Sequence, residues 1–159
     1  MKKLLLIRHA RATHETGYKD FERPLTPSGL QDAAVMAGRL QEHSLIPQLM
    51  VSSPALRTIS TAHVFTQHLA VPEAEEIKSI YEADVNDLVD VINDLDDASD
   101  FTALVGHNPG ISQLLHYLTD QLEEMATCAI VLIEFNNDSW NSIGAGTGKL
   151  VYYDYPKAQ

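Results

Sequence analysis

The sequence predicts a three-layer α/β/α fold, with a mostly parallel central sheet and a β-rich C-terminal extension. Three observations carry this. Apolar runs without polar alternation, such as Leu4–Ile7 and Thr102–Val105, read as strands buried on both faces. Segments of helical spacing separate these runs, as in successive strand–helix–strand units, which places helices on both sheet faces. The last third of the chain then turns to strand-like segments. We read residues 1–159 as one domain; a chain of this length buries roughly 68–70% of its unfolded surface.

Leu4-Leu5-Leu6-Ile7 is the first strand, and it delivers Arg8 and His9 to its C-terminal end, the edge where open α/β sheets gather ligands. A polar, irregular loop from Ala12 to Leu25 follows. Thr26-Pro27 pairs an N-cap with a first-turn proline, opening a helix to about His43 with Leu30, Ala33, Ala34, Ala37 and Leu40 on its apolar face. Leu49–Val51 is a second strand. Ser53 as cap and Pro54 as first residue open the next helix, with Leu56, Ile59, Ala62, Phe65 and Leu69 buried. Ile77–Ile80 reads as a third strand. Asp84 caps a helix bearing Val85, Leu88, Val91, Ile92 and Leu95, and the acidic run Asp94–Asp100 reads as a solvated loop. After the Thr102–Val105 strand, Asn108-Pro109 repeats the cap-and-proline signal before the stripe Ile111, Leu114, Leu115 and Leu118. Ala129–Phe135, Trp140–Ile143 and Leu150–Tyr153 read as further strands around the turn Asn136–Asp138.

Composition narrows the function. A net charge of −11 argues against a nucleic-acid partner, which requires a basic face. No apolar run approaches the roughly 20 residues of a membrane span, and none after Lys3 supplies the h-region of a signal peptide. The one cysteine, Cys128, excludes an intramolecular disulfide and fits a reducing, cytoplasmic setting. No zinc spacing or CxxC pair is present, so neither metal nor other cofactor is expected.

In so acidic a chain, clustered cations are informative. Arg8-His9, Arg57 and His107 each follow an apparent strand. If those strands are parallel neighbours, two guanidiniums and two imidazoles meet in one crevice, with helix N-termini aimed the same way. Such a site suits a phosphoryl dianion: arginine binds phosphate oxygens bidentately, and neutral histidine is a competent nucleophile near neutral pH. His14, His43, His63, His68 and His116 share no spacing and read as surface or packing residues.

The motifs reach further. Arg8-His9-Ala10 resembles the Arg-His-Gly signature of the histidine phosphatase superfamily. Arg23–Gly29, Ser52–Thr58, Tyr81-Glu82-Ala83, Val105–Gly110 and the late Thr127-Cys128-Ala129, Trp140 and Gly144–Gly148 segments resemble the short SixA-type phosphohistidine phosphatases. This resemblance implies a phosphoglycerate mutase-like fold and a two-step, cofactor-free reaction. His9 is then the nucleophile. Arg8, Arg57 and His107 hold the phosphoryl oxygens, with Asn108 and Arg23 as further substrate contacts. A carboxylate protonates the leaving group in the larger relatives; Glu82 is the candidate here, with Asp20 and Glu15 in reserve. Ala10 stands where the signature usually has glycine, and Arg11-Ala12-Thr13 replaces the common Glu-Thr. The insertions that enclose sugar phosphates in mutases are missing, which suits a phosphohistidine presented by a signalling protein such as a phosphotransfer domain. A small-molecule phosphomonoesterase, a silent phosphate-binding module and a metal-dependent hydrolase are the alternatives, the last disfavoured for want of ordered carboxylate and histidine ligands.

Overall fold

The computed structural model describes residues 1–157. Its centre is one six-stranded sheet in the order β3-β2-β4-β1-β5-β6, formed by β1 (Lys2–Arg8), β2 (Leu49–Ser52), β3 (Glu75–Glu76), β4 (Phe101–Gly106), β5 (Ile130–Phe135) and β6 (Gly148–Asp154). The first four strands run parallel; β5 is antiparallel to β1, and β6 to β5.

The uninterrupted apolar run of β1 is explained by its place between β4 and β5 with both faces covered. Leu4 and Leu6 pack with α3 (Val85–Asn93) and α4 (Gly110–Thr119), while Leu5 and Ile7 pack with α1 (Pro27–Glu42) and α2 (Leu56–Leu69). The chain leaving β1 therefore crosses one face and the chain leaving β4 crosses the other. A crevice opens between their C-terminal ends, at the strand-order switch. Among the described residues no helix is long and apolar enough to cross a membrane.

Caps built from local side chains form as the sequence predicts. Thr26 accepts from the Gly29 amide at 3.0 Å with Pro27 in the first turn, and Asp84 closes a reciprocal capping box with Asp87. Five expectations are corrected. The third strand is only Glu75–Glu76; Lys78–Ile80 is a 3₁₀ turn that tucks Ile80 beneath α3 and α4. Trp140–Ser142 is likewise a 3₁₀ turn. Its backbone is held by side chains rather than a ladder: Asp97 accepts from the Trp140 amide, and Asn93 donates to the Trp140 and Ile143 carbonyls. Helix α2 starts at Leu56, two residues after Pro54, and α4 starts at Gly110 without an Asn108 cap. The buried face of α2 is also rotated from the apolar reading. Leu56 is exposed, whereas Arg57, Thr58 and Thr61 are buried.

Candidate active site

His9 follows the last residue of β1 and is fixed before its side chain does anything. Its amide donates to the Gly106 carbonyl of β4 at 3.1 Å, and its carbonyl accepts from the Cys128 amide at 3.0 Å. The next amide, Ala10, donates to Thr61 Oγ1 on α2 at 3.0 Å. The ring's Nδ1 lies 2.7 Å from the Ala10 carbonyl. A carbonyl only accepts, so Nδ1 carries the hydrogen and Nε2 keeps its lone pair.

His107 stands just past β4, its ring centroid 5.3 Å from that of His9. Its Nε2 is 2.8 Å from Ser53 Oγ. That hydroxyl already accepts from the Ala55 amide at 3.3 Å. Among the described residues its own hydrogen has no other acceptor than His107 Nε2. With that hydroxyl donating to Nε2, the neutral ring carries its hydrogen on Nδ1, the reverse of His9. This is why α2 lacks the Ser53 cap: the hydroxyl faces a histidine on a neighbouring strand end.

The guanidiniums enclose the same space. Arg8 Nη1 donates to the Met125 carbonyl at 2.9 Å. Arg57, buried in the first turn of α2, donates through Nη1 to the Asp20 carbonyl at 2.7 Å and through Nη2 to Asp20 Oδ2 at 3.0 Å. Arg23 donates to Asp20 Oδ1 at 3.2 Å and to the Thr13 carbonyl at 3.0 Å. Tyr81 completes the ring, its hydroxyl donating to Asp20 Oδ2 at 2.7 Å. Asp20 belongs to a 3₁₀ turn, Asp20–Glu22, in a loop pinned at its base by the Ala12–Leu25 bridge.

Three buried nitrogens have no hydrogen-bond partner among the described residues: Arg8 Nε, Arg57 Nε and His107 Nδ1. Buried polar groups are normally paired, so three orphans on three neighbouring cations and imidazoles require an explanation. All three belong to side chains that line the cleft described below.

The electrostatics agree with the tautomers. Burial pushes His9 down to about 4, against the Ala10 carbonyl and reinforced by Arg57, Arg8 and Arg23. Burial, with His9 and Arg57 adding to it, takes His107 down to about 3. Both rings are neutral at physiological pH. Asp20 is lowered to about 2, first by the Tyr81 hydroxyl and then by Arg57 and Arg23, so its carboxylate is ionised.

Arg8, His9, Arg57, His107, Asn108 and Arg23 all line one cleft of about 480 Å³. Asn108 borders it but turns inward: its Nδ2 donates to the Met125 carbonyl and its Oδ1 accepts from Ser112. That accounts for the missing α4 cap. Glu82 is exposed and lines an adjoining cavity of about 380 Å³ that shares Arg57, His107 and Asn108 with the cleft. Glu15 is exposed and lies outside the lining of both. His14, read as a surface residue, is exposed yet borders the cleft. Asp20 and Tyr81 gain a structural role the sequence did not announce; Tyr81 stood beside Glu82 in a recognised motif. A larger groove of about 820 Å³, between α4 and the Asp120–Glu124 segment, is lined by no arginine or lysine and so lacks this anion-binding character.

Paired imidazoles and guanidiniums lining one cleft at the C-terminal edge of parallel strands define an α/β protein with its site at the usual ligand edge of such sheets. The family profile of the histidine phosphatase superfamily (branch 1) matches residues 4–91, and the chain belongs to that superfamily. Its fold is similar to that of a candidate phosphohistidine phosphatase SixA from Agrobacterium tumefaciens, with a TM-score of 0.84, 22% identity and 98% of each chain covered. It is also similar to the protein histidine phosphatase SixA complexed with tungstate, with a TM-score of 0.82, 23% identity and 97% of each chain covered. An uncharacterized chloroplastic protein of Arabidopsis thaliana is 26% identical, over 92% of this chain and 72% of its own length.

Proposed function

We propose that this protein is a metal-independent phosphatase that removes phosphate from phosphohistidine on a signalling protein, through a covalent intermediate on His9. The observation that carries the reading is one cleft lined by Arg8, His9, Arg57 and His107, in which His9 is tied through Nδ1 and Arg8 Nε, Arg57 Nε and His107 Nδ1 are buried without partners among the described residues. Three equatorial phosphoryl oxygens suit three such donors, and preorganised donors stabilise charge developing in an in-line displacement.

The first step forms a bond from His9 Nε2 to phosphorus and breaks the bond to the leaving group. Nδ1–H stays on the Ala10 carbonyl throughout. Water then attacks phosphorus, and His9 departs as a neutral ring. Arg23 lends positive charge at the rim, and Asn108 holds the Met125 segment against Arg8. An open cleft suits a phosphoryl group on a protruding protein side chain, and a cytoplasmic setting suits the lone buried Cys128.

A second reading, a small-molecule phosphomonoesterase, rests on Glu82. It borders the side cavity and is the carboxyl able to protonate an ester leaving group. The test is rapid quench with a ³²P-labelled histidine phosphopeptide. An acid-labile phosphoenzyme that disappears in His9→Ala supports the covalent route. No phosphoenzyme at any time point leaves a silent binding module. A kcat/KM higher for a sugar phosphate than for the phosphopeptide transfers the assignment to the second reading.

A further inference from the structure

His9 lies on the buried floor of the cleft, whereas the Asp20 side chain is 54% exposed at its rim. In-line displacement puts the leaving group opposite the nucleophile, which here means toward that rim. We infer that Asp20 is the specificity-determining residue of the cleft, its carboxylate accepting the N–H of a departing imidazole ring and so selecting nitrogen-linked over oxygen-linked phosphoryl groups. This inference rests on the phosphohistidine reading and adds to it the group that recognises the leaving ring.

The carboxylate has capacity for the contact. An ionised carboxylate offers about four acceptor sites. Tyr81 and Arg57 occupy Oδ2, and Arg23 occupies one side of Oδ1, which leaves a site on Oδ1. Those same donors keep the group ionised, so it cannot protonate an alkoxide.

The atom balance favours nitrogen. Phosphohistidine carrying a hydrogen on its distal ring nitrogen needs no proton transfer: when the P–N bond breaks, its electron pair returns to the ring, which leaves neutral. A phosphomonoester leaves an alkoxide that needs a proton from elsewhere. The enzyme's own intermediate has the same form. His9 carries phosphoryl on Nε2 with Nδ1–H on the Ala10 carbonyl, and Asp20 offers the substrate ring what Ala10 offers His9. Asp20 also opposes simple oxyanions, because its carbonyl and carboxylate occupy both outer nitrogens of Arg57.

The experiment compares Asp20→Asn and Asp20→Ala with the parent protein on a histidine phosphopeptide and on the same peptide bearing phosphoserine, with inhibition by inorganic phosphate in parallel. The ratio of kcat/KM values, histidine over serine, falls at least tenfold in Asp20→Asn and further in Asp20→Ala, as expected for losing a charge-assisted hydrogen bond. Phosphate inhibits both variants at least as tightly as it inhibits the parent. If both substrates and phosphate weaken by one common factor, Asp20 merely anchors Arg57 and the inference is overturned. A parental preference for phosphohistidine that survives both substitutions overturns the inference alone. A parent protein without that preference overturns the phosphohistidine reading as well.

Discussion

Lowering the pH from 7 to 5 destabilises this fold through two named side chains. His9 sits at about 4 and His107 at about 3, against an ordinary 6.5, because both rings are buried among cations. In the folded state they stay neutral, whereas in the unfolded chain they bind protons below about 6.5. The unfolded state therefore holds more protons in this window, so stability is full above 6.5 and is lost as pH falls toward 4. For His9 the linkage relation gives a loss of about 2 kcal/mol between pH 7 and 5. His107 is less buried and adds up to about the same. A combined loss approaching about 4 kcal/mol is a large share of the roughly 5–15 kcal/mol that stabilises a typical domain. Asp20 does not obscure this window, since its lowered carboxyl costs stability only below its ordinary 3.8. Urea unfolding at pH 7, 6 and 5, at fixed ionic strength and without oxyanion buffers, measures the effect. The midpoint drops stepwise in the parent protein, and the His9→Ala/His107→Ala double variant shows a distinctly shallower slope. Equal slopes in the two proteins would refute the claim that these rings are held neutral by burial.

Three further outcomes follow from individual contacts. Ser53→Ala removes the hydroxyl that faces His107 Nε2 and the Ala55 amide; kcat/KM falls by about tenfold, one hydrogen bond's worth, and the melting temperature drops by a few degrees, since both buried groups lose a partner. Arg57→Ala lowers kcat/KM by about 10²–10³-fold, and Arg57→Lys recovers only part of it, because an ammonium has no planar fork to hold Asp20 through two nitrogens while keeping a third donor for the phosphoryl group; steady-state kinetics on the phosphopeptide decides this. Gly110→Ala drives a methyl into the Ala83 carbonyl at the start of α4. It lowers stability by about 1–3 kcal/mol and raises KM, since the displaced segment carries Tyr81 and Glu82; thermal unfolding and kinetics together test it.

The parts of the fold that were legible in the sequence are those whose determinants are local. Leu4–Ile7 declares a doubly covered strand by composition alone, and Thr26 and Asp84 cap helices with partners three residues away. Ser53 and Asn108 carry the same cap chemistry, and the same reading fails for both. Their side chains answer to His107 and to the Met125 and Ser112 groups, which local spacing does not reveal. The α2 face departs from its apolar pattern for a related reason. Arg57, Thr58 and Thr61 are buried because they brace the cleft, against the apolar stripe that hydrophobicity prefers. Trp140–Ile143 resembles a strand by content, yet remote Asn93 and Asp97 satisfy its backbone and release it from the sheet. In each case the departure from pattern falls where a polar group is committed to a distant partner.

The same distinction governs the two histidines. As letters in the chain His9 and His107 are alike: each is an imidazole that closes an apolar strand. Their difference lies in which ring nitrogen the fold ties down. The Ala10 carbonyl can only accept, so it turns His9 into a ring with a bare Nε2; the Ser53 hydroxyl, when it donates to Nε2, makes His107 a ring with a hydrogen on Nδ1. Exchanging the two side chains' neighbours would exchange their chemistry without altering either residue. A site that needs one nucleophile and one neutral donor can thus use the same side chain twice, provided burial keeps both rings unprotonated and the backbone fixes one tautomer while a hydroxyl fixes the other.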